Sequence, residues 1–185
     1  MLLPKRKACE ENAAGGTNQF LFVIPVCEVL ENGFPPLKTT TAPGDSVTLD
    51  GGFTLTTDTG TGYWRRYDLE PDTGRVAAAL VGENRATAFE QMADGYLAGT
   101  DSICKEALQN FVGKGIIAIS PDRNGIYHVT GDLDNPAYLQ TGDGFDTKTT
   151  ITELAGSAFS FKSMSPRISP TYDIVANPLN LTPNP

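Results

Sequence analysis

His128 is the single histidine of the sequence and the one side chain whose ordinary pKa suits acid–base chemistry near neutral pH. It stands beside Tyr127 inside an apolar, β-branched run, with no cysteine or second histidine close by, which reads as a structural strand residue rather than a base or a metal ligand. Asp132, Asp134 and Asn135, with Asp143 and Asp146 after them, open like a calcium loop. Pro136 takes the place of that loop's turn glycine and no glutamate closes it, so these residues read as turns. Gly60-Thr61-Gly62 and Gly142-Asp143-Gly144 do not lead into a capped helix carrying lysine and a hydroxyl, and Gly113-Lys114-Gly115 follows a helix instead of opening one, so no nucleotide site is expected. A Ser-His-Asp or Cys-His arrangement would have to centre on His128 without any nucleophile-elbow signature. Cys9, Cys27 and Cys104 are odd in number and widely spaced, which supports neither a disulfide framework nor a zinc site and makes a reducing compartment the default. No cofactor is expected, and an enzyme is the weaker class.

Binding groups are better represented. Tyr63, Trp64, Arg65, Arg66 and Tyr67 combine the residue types that buried contacts favour, though a strand with one aromatic face turned inward reads equally well. Phe34, Pro35 and Pro36 lie in a long loop and are further interface candidates. Lys5, Arg6 and Lys7 sit on an N-terminal stretch without hydrophobic period, a solvated arm unless assembly orders it.

The elements that must position these groups read mostly as strands. Phe20 to Ile24 form an apolar, aromatic and β-branched run broken by Pro25, the pattern of a buried strand with an edge or bulge. Residues 31–44 gather Asn32-Gly33, Pro35-Pro36, a threonine tract and Pro43-Gly44, which suits a protruding loop that carries contacts rather than core. Val47, Leu49, Phe53 and Leu55 alternate with polar residues about Gly51 and Gly52, predicting two half-buried strands or one bulged strand. Residues 63–69 and 75–81, separated by Pro71, Asp72 and Gly74, predict a hairpin. Residues 85–92 fit a strand or a helix, since alanine and glutamate blur the β signal, and strand is the reading preferred. Thr100, Asp101 and Ser102 can cap a helix that ends at Gly113, with Ile103, Ala107, Leu108 and Phe111 as its apolar stripe. Residues 116–119 and 126–130 flank Asn124-Gly125 as the strongest hairpin, and Tyr138-Leu139, residues 149–152 and 158–161 give further short strands. Beyond Lys162, prolines at 166, 170, 178, 183 and 185 predict an extended tail. The organisation expected is an arm over 1–18, one β domain over 19–163 and a Pro-rich extension over 164–185.

Composition agrees: in 185 residues, 19 Gly, 13 Pro and 21 Thr favour short β-branched segments joined by turns. The formal charge of -8 argues against a sequence-specific nucleic-acid reader, which needs a basic face. No window reaches the apolar length of a membrane span, and the basic residues near Met1 follow too short an apolar stretch for an export signal.

The order of elements, from the opening apolar strand through the Pro/Thr loop, one helix, the Gly115 to Ile119 strand, the turn from Pro121 to Tyr127 and the closing Leu154 to Phe161 segment, resembles phage tail tube proteins of a type from Bacteroidetes-like hosts. The resemblance covers residues 19–163. It implies a mainly β fold, a β-sandwich or partly closed β-barrel with one flanking helix, assembled as stacked hexameric rings. The self-partnered tube would contact other tail or neck proteins, hold DNA as a non-specific cargo without touching a membrane, and reside in the virion after assembly in the host cytoplasm. Other readings are another virion component of the same fold (tail terminator, connector ring, capsid-decorating or baseplate protein), or a ligand-binding β-sandwich stacking ligand on Tyr63, Trp64 and Tyr67.

Overall fold

Four successive residues of the opening strand, Leu21, Phe22, Val23 and Ile24, are all buried, as are all six of a second strand from Ile116 to Pro121. A strand turns alternate side chains to opposite faces, so unbroken burial requires cover on both. The computed structural model, which describes residues 19–39, 41–56, 62–83, 86–99, 102–140, 144–146 and 155–181, supplies it. In chain order the elements are β1 (Phe20–Pro25), β2 (Arg65–Asp68), β3 (Arg75–Glu83), β4 (Ala86–Ala98), α1 (Ser102–Phe111), β5 (Ile116–Pro121), β6 (Tyr127–Thr130), β7 (Tyr138–Leu139), β8 (Gly144–Asp146), β9 (Gly156–Ser165) and β10 (Thr171–Tyr172). They form two antiparallel sheets: β10-β6-β5-β1-β2, and β3-β4-β9-β7 with β8 also on β9. Among the described residues the fold is mainly β, a sandwich with one short α-helix, and the sheets do not close into a barrel.

Sheet one is the middle of three layers. On one face, Leu21, Val23, Ile116 and Ala118 pack with Ala93 and Leu97 of β4, Phe159 and Phe161 of β9, and Leu108 and Phe111 of α1. On the other, Phe22, Ile24, Ile117, Ile119 and Val129 pack beneath Val29, Leu49, Trp64 and Tyr172, with Phe34, Leu37, Phe53, Leu55, Ile174 and Leu179 closing over them. The long Pro/Thr loop is therefore a cover rather than a protrusion: the chain spends its apolar residues on the face of sheet one that no second sheet occupies.

Other departures have similar causes. The segment around Leu49 is no regular strand; a 3-10 turn over Asp45–Val47 leads into isolated bridges, Leu37 to Leu49 and Val29 to Leu55. Residues 63–69 and 75–81 form no hairpin. β2 pairs with β1, and β3 with β4; between them Leu69 N donates to Gln19 O and Glu70 N to Tyr96 O, carrying the chain from one sheet to the other. Residues 85–92 are strand within the described part, in a β4 that continues to Ala98 and pairs with β9 from Phe89 to Ala98. Gly95 sits there because a Cβ would lie 2.5 Å from Phe159 Cζ. α1 stops as expected, with Gly113 at φ 70, and Leu108 and Phe111 are buried. The β5–β6 hairpin forms in the register Ala118 to Thr130 through Pro121 to Tyr127.

The Pro-rich segment is not an extension. β9 runs two residues past 163, and residues 166–181 then cross the outer face of sheet one as a strap. Val129 N donates to Pro170 O, β10 pairs with β6, and Leu49 N donates to Thr171 O, all at one sheet edge. At the opposite edge the backbone N–H of Trp64, just before β2, donates to Asn180 O at 2.8 Å. The N-terminal arm with Lys5, Arg6 and Lys7, the Gly60-Thr61 part of a glycine loop, the expected cap residues Thr100 and Asp101, and residues 149–152 lie outside the described residues, as do the side chains of Ile103 and Ala107.

Candidate functional site

The chemical candidates are engaged in holding turns. Asp122, at the end of β5, accepts from the N–H groups of Asn124 and Ile126, both at 2.8 Å, while His128 Nε2 stands 3.5 Å from its other oxygen. Burial alone would raise the Asp122 pKa, but these donors outweigh it and hold the carboxyl below its ordinary value. Asp132 Oδ1 accepts from Asn135 N at 2.6 Å and Oδ2 from Ser165 Oγ at 3.4 Å, the geometry of a turn. No group of three or more His, Cys, Asp or Glu placed to hold a metal occurs among the described residues.

The aromatic–arginine run does not form one surface. Trp64 is 1% exposed, in edge contact with Phe53 at 5.0 Å beneath the strap, so it is no stacking platform. Tyr67 faces the other way, 5.3 Å from the Phe111 ring, and burial raises its pKa. Arg65 makes a two-pronged contact with Glu28 at 2.8 and 3.1 Å, which raises the guanidinium pKa. Arg66 lies 4.3 Å over the Phe20 ring and pairs with Asp68. Tyr63 is half-buried. Phe34, Pro35 and Pro36 line a cavity of about 280 Å³ with Glu31, Asp132 and Arg167; Pro35 is itself buried and Phe34 packs on Phe53.

A buried polar seam escaped the sequence reading. Gln91, inward on β4, donates to Arg167 O at 2.8 Å and accepts from Gly131 N at 3.0 Å, and Ser163 Oγ donates to Asn135 O at 2.6 Å. These bonds tie β4, β9, the 131–135 turn and the start of the strap together. Its signal was available: Gln91, Ser163 and Ser165 fall on the inward positions of their strands and so needed partners.

The sheet edges are the most distinctive surface. Sheet one ends in two-residue β10, bridged by Thr48 to Thr171, and in four-residue β2 with its charged Arg66 and Asp68. Sheet two ends on one side in the short β7 and β8. On the other it ends in β3, nine residues long, against whose outer side no described residue pairs. Comparison with family models, curated proteins and solved structures finds no match to this chain.

Proposed function

We propose that the chain is a structural subunit, one protomer of a ring-stacking phage tail tube that forms a channel for DNA. The observation that carries this reading is the inequality of the sheet-two edges, unpaired by any described residue along β3 on one side and finished by β7 and β8 on the other. Copies related by rotation can continue such a sheet head to tail until a ring closes. Support also comes from the chemistry candidates, since His128, Asp122 and Asp132 are occupied with turns.

The acidity suits a channel whose cargo must slide. A net charge of -8 per copy repels phosphates, the reverse of the cationic contacts that produce affinity. The face of sheet two directed away from the core bears Glu83, Glu90 and Asp94 against Arg75 and Lys162. Negative-stain microscopy of the purified chain tests the reading: hollow tubes are expected, single rings would assign the chain to a terminator or connector, and dispersed particles at high concentration would overturn it. A tube whose inner surface proved net basic would remove the sliding-channel argument.

A further inference from the structure

Strand β3 reads Arg75-Val76-Ala77-Ala78-Ala79-Leu80-Val81-Gly82-Glu83. Natural edge strands are usually blunted by lysine, proline, a bulge or brevity. From Val76 to Val81 this one carries no charge and no proline, and its nine residues pair regularly with β4 in a register from Arg75 opposite Asp94 to Glu83 opposite Ala86. Gly82, at φ 108, turns the backbone only at the penultimate residue. Leu80 points to the core side of the sheet, as its partner Phe89 does, yet is 63% exposed.

The sequence of this edge is self-complementary. Set antiparallel against a second β3 about a two-fold axis at Ala79, Arg75 falls opposite Glu83 at both ends, Val76 opposite Gly82, Ala77 opposite Val81 and Ala78 opposite Leu80. Residues directly opposite share a face, so both charge pairs form on the solvent face of sheet two, while each Leu80 is covered on the core face. Arg75 then lies between Asp94 of its own β4, 3.9 Å away, and Glu83 of the second copy.

We propose that the free chain pairs through β3 with a second copy of itself, joining two five-stranded sheets into one of ten. The two-fold contact and any head-to-tail contact through β3 exclude each other, so the dimer is a resting form that shields the edge until assembly displaces it. The resting role rests on the tube reading, whereas the dimer of the free chain does not.

The test is the mass of the full-length chain by light scattering over roughly 1 to 500 µM, a range set by the small size of an edge-only contact. At concentrations below those at which tubes form, the unaltered chain is expected to shift from monomer to dimer. R75E and E83R each place like charges opposite at both ends and are expected to weaken the dimer by about tenfold or more. The double variant R75E/E83R restores it, as does mixing the two single variants, whose heterodimer has opposite charges at both ends. R75E and the double variant carry the same change beside Asp94, so their difference isolates the contact between copies, and matching melting curves establish that each folds. A monomeric unaltered chain at the highest concentration, or folded single variants that dimerise as well as the unaltered chain, would overturn the proposal. So would a folded double variant that remains monomeric. Tubes seen by microscopy above the concentrations at which the free chain is weighed would leave the tube reading intact whichever of these results is obtained.

Discussion

At the residue scale, the aromatic side chains under the strap dominate. Trp64 is fully buried between Phe53 and the outer face of sheet one, and truncating a large buried aromatic removes its transfer free energy and leaves a cavity. Trp64→Ala is expected to lower stability by about 3 to 5 kcal/mol, measured by urea unfolding; a loss below about 1 kcal/mol would place the indole at the surface. Tyr172 offers a pH signature. Burial pushes its phenol up to about 12 from an ordinary value of 10.0, and its hydroxyl donates to Asn177 O at 2.8 Å. A phenol held neutral in the fold contributes stability that is complete below the unfolded pKa and is lost as pH rises through 10 toward 12. Unfolding free energy is therefore expected to fall across that interval, and Tyr172→Phe to flatten the decline while weakening the fold by about 1 kcal/mol at pH 7. An unchanged alkaline profile in the variant would assign the decline to other groups.

At the scale of elements, the strap and sheet one depend on each other. The strap brings Tyr172, Ile174 and Leu179 onto an apolar face shared by Phe22, Ile24, Ile117 and Ile119. Full burial of a side chain of this size contributes about 1.5 to 3 kcal/mol, which applies to Tyr172 and in part to the half-buried Ile174 and Leu179, while a whole domain is stable by about 5 to 15 kcal/mol. Removing residues 166–185 is accordingly expected to abolish cooperative unfolding and bind a hydrophobic dye, read by thermal melting and fluorescence. A truncated chain with the parent's melting temperature would return this segment to the status of a free extension. The helix and the β5–β6 hairpin were legible because their signals are local: a cap, a stripe and Gly113 for one, turn residues between two β-branched runs for the other. The partners of β2 and β3 were not. Four intervening turn-forming residues fit a hairpin or a passage between layers equally well, and the choice rests on Leu69 bonding back to Gln19 and Glu70 to Tyr96, contacts distant in sequence.

For the whole molecule, assembly is a property of surfaces that the core leaves open. If rings stack through the arms, deleting residues 1–18 is expected to leave the melting temperature within a degree or two while shortening tubes seen by microscopy; tubes of parent length would count against a bridging arm. The sequence by itself determined the mainly β class, the helix that ends at Gly113 and the strongest hairpin, because composition, period and turn residues report local backbone preference. Tertiary structure alone decided that Trp64 is core and not surface, that the Pro/Thr loop and C-terminal strap form the third layer, and that no described residue pairs with the outer side of β3. A period of two states that a strand has two faces, but which neighbour covers each face is set by chain segments a hundred or more residues away, as when Thr48 bridges to Thr171.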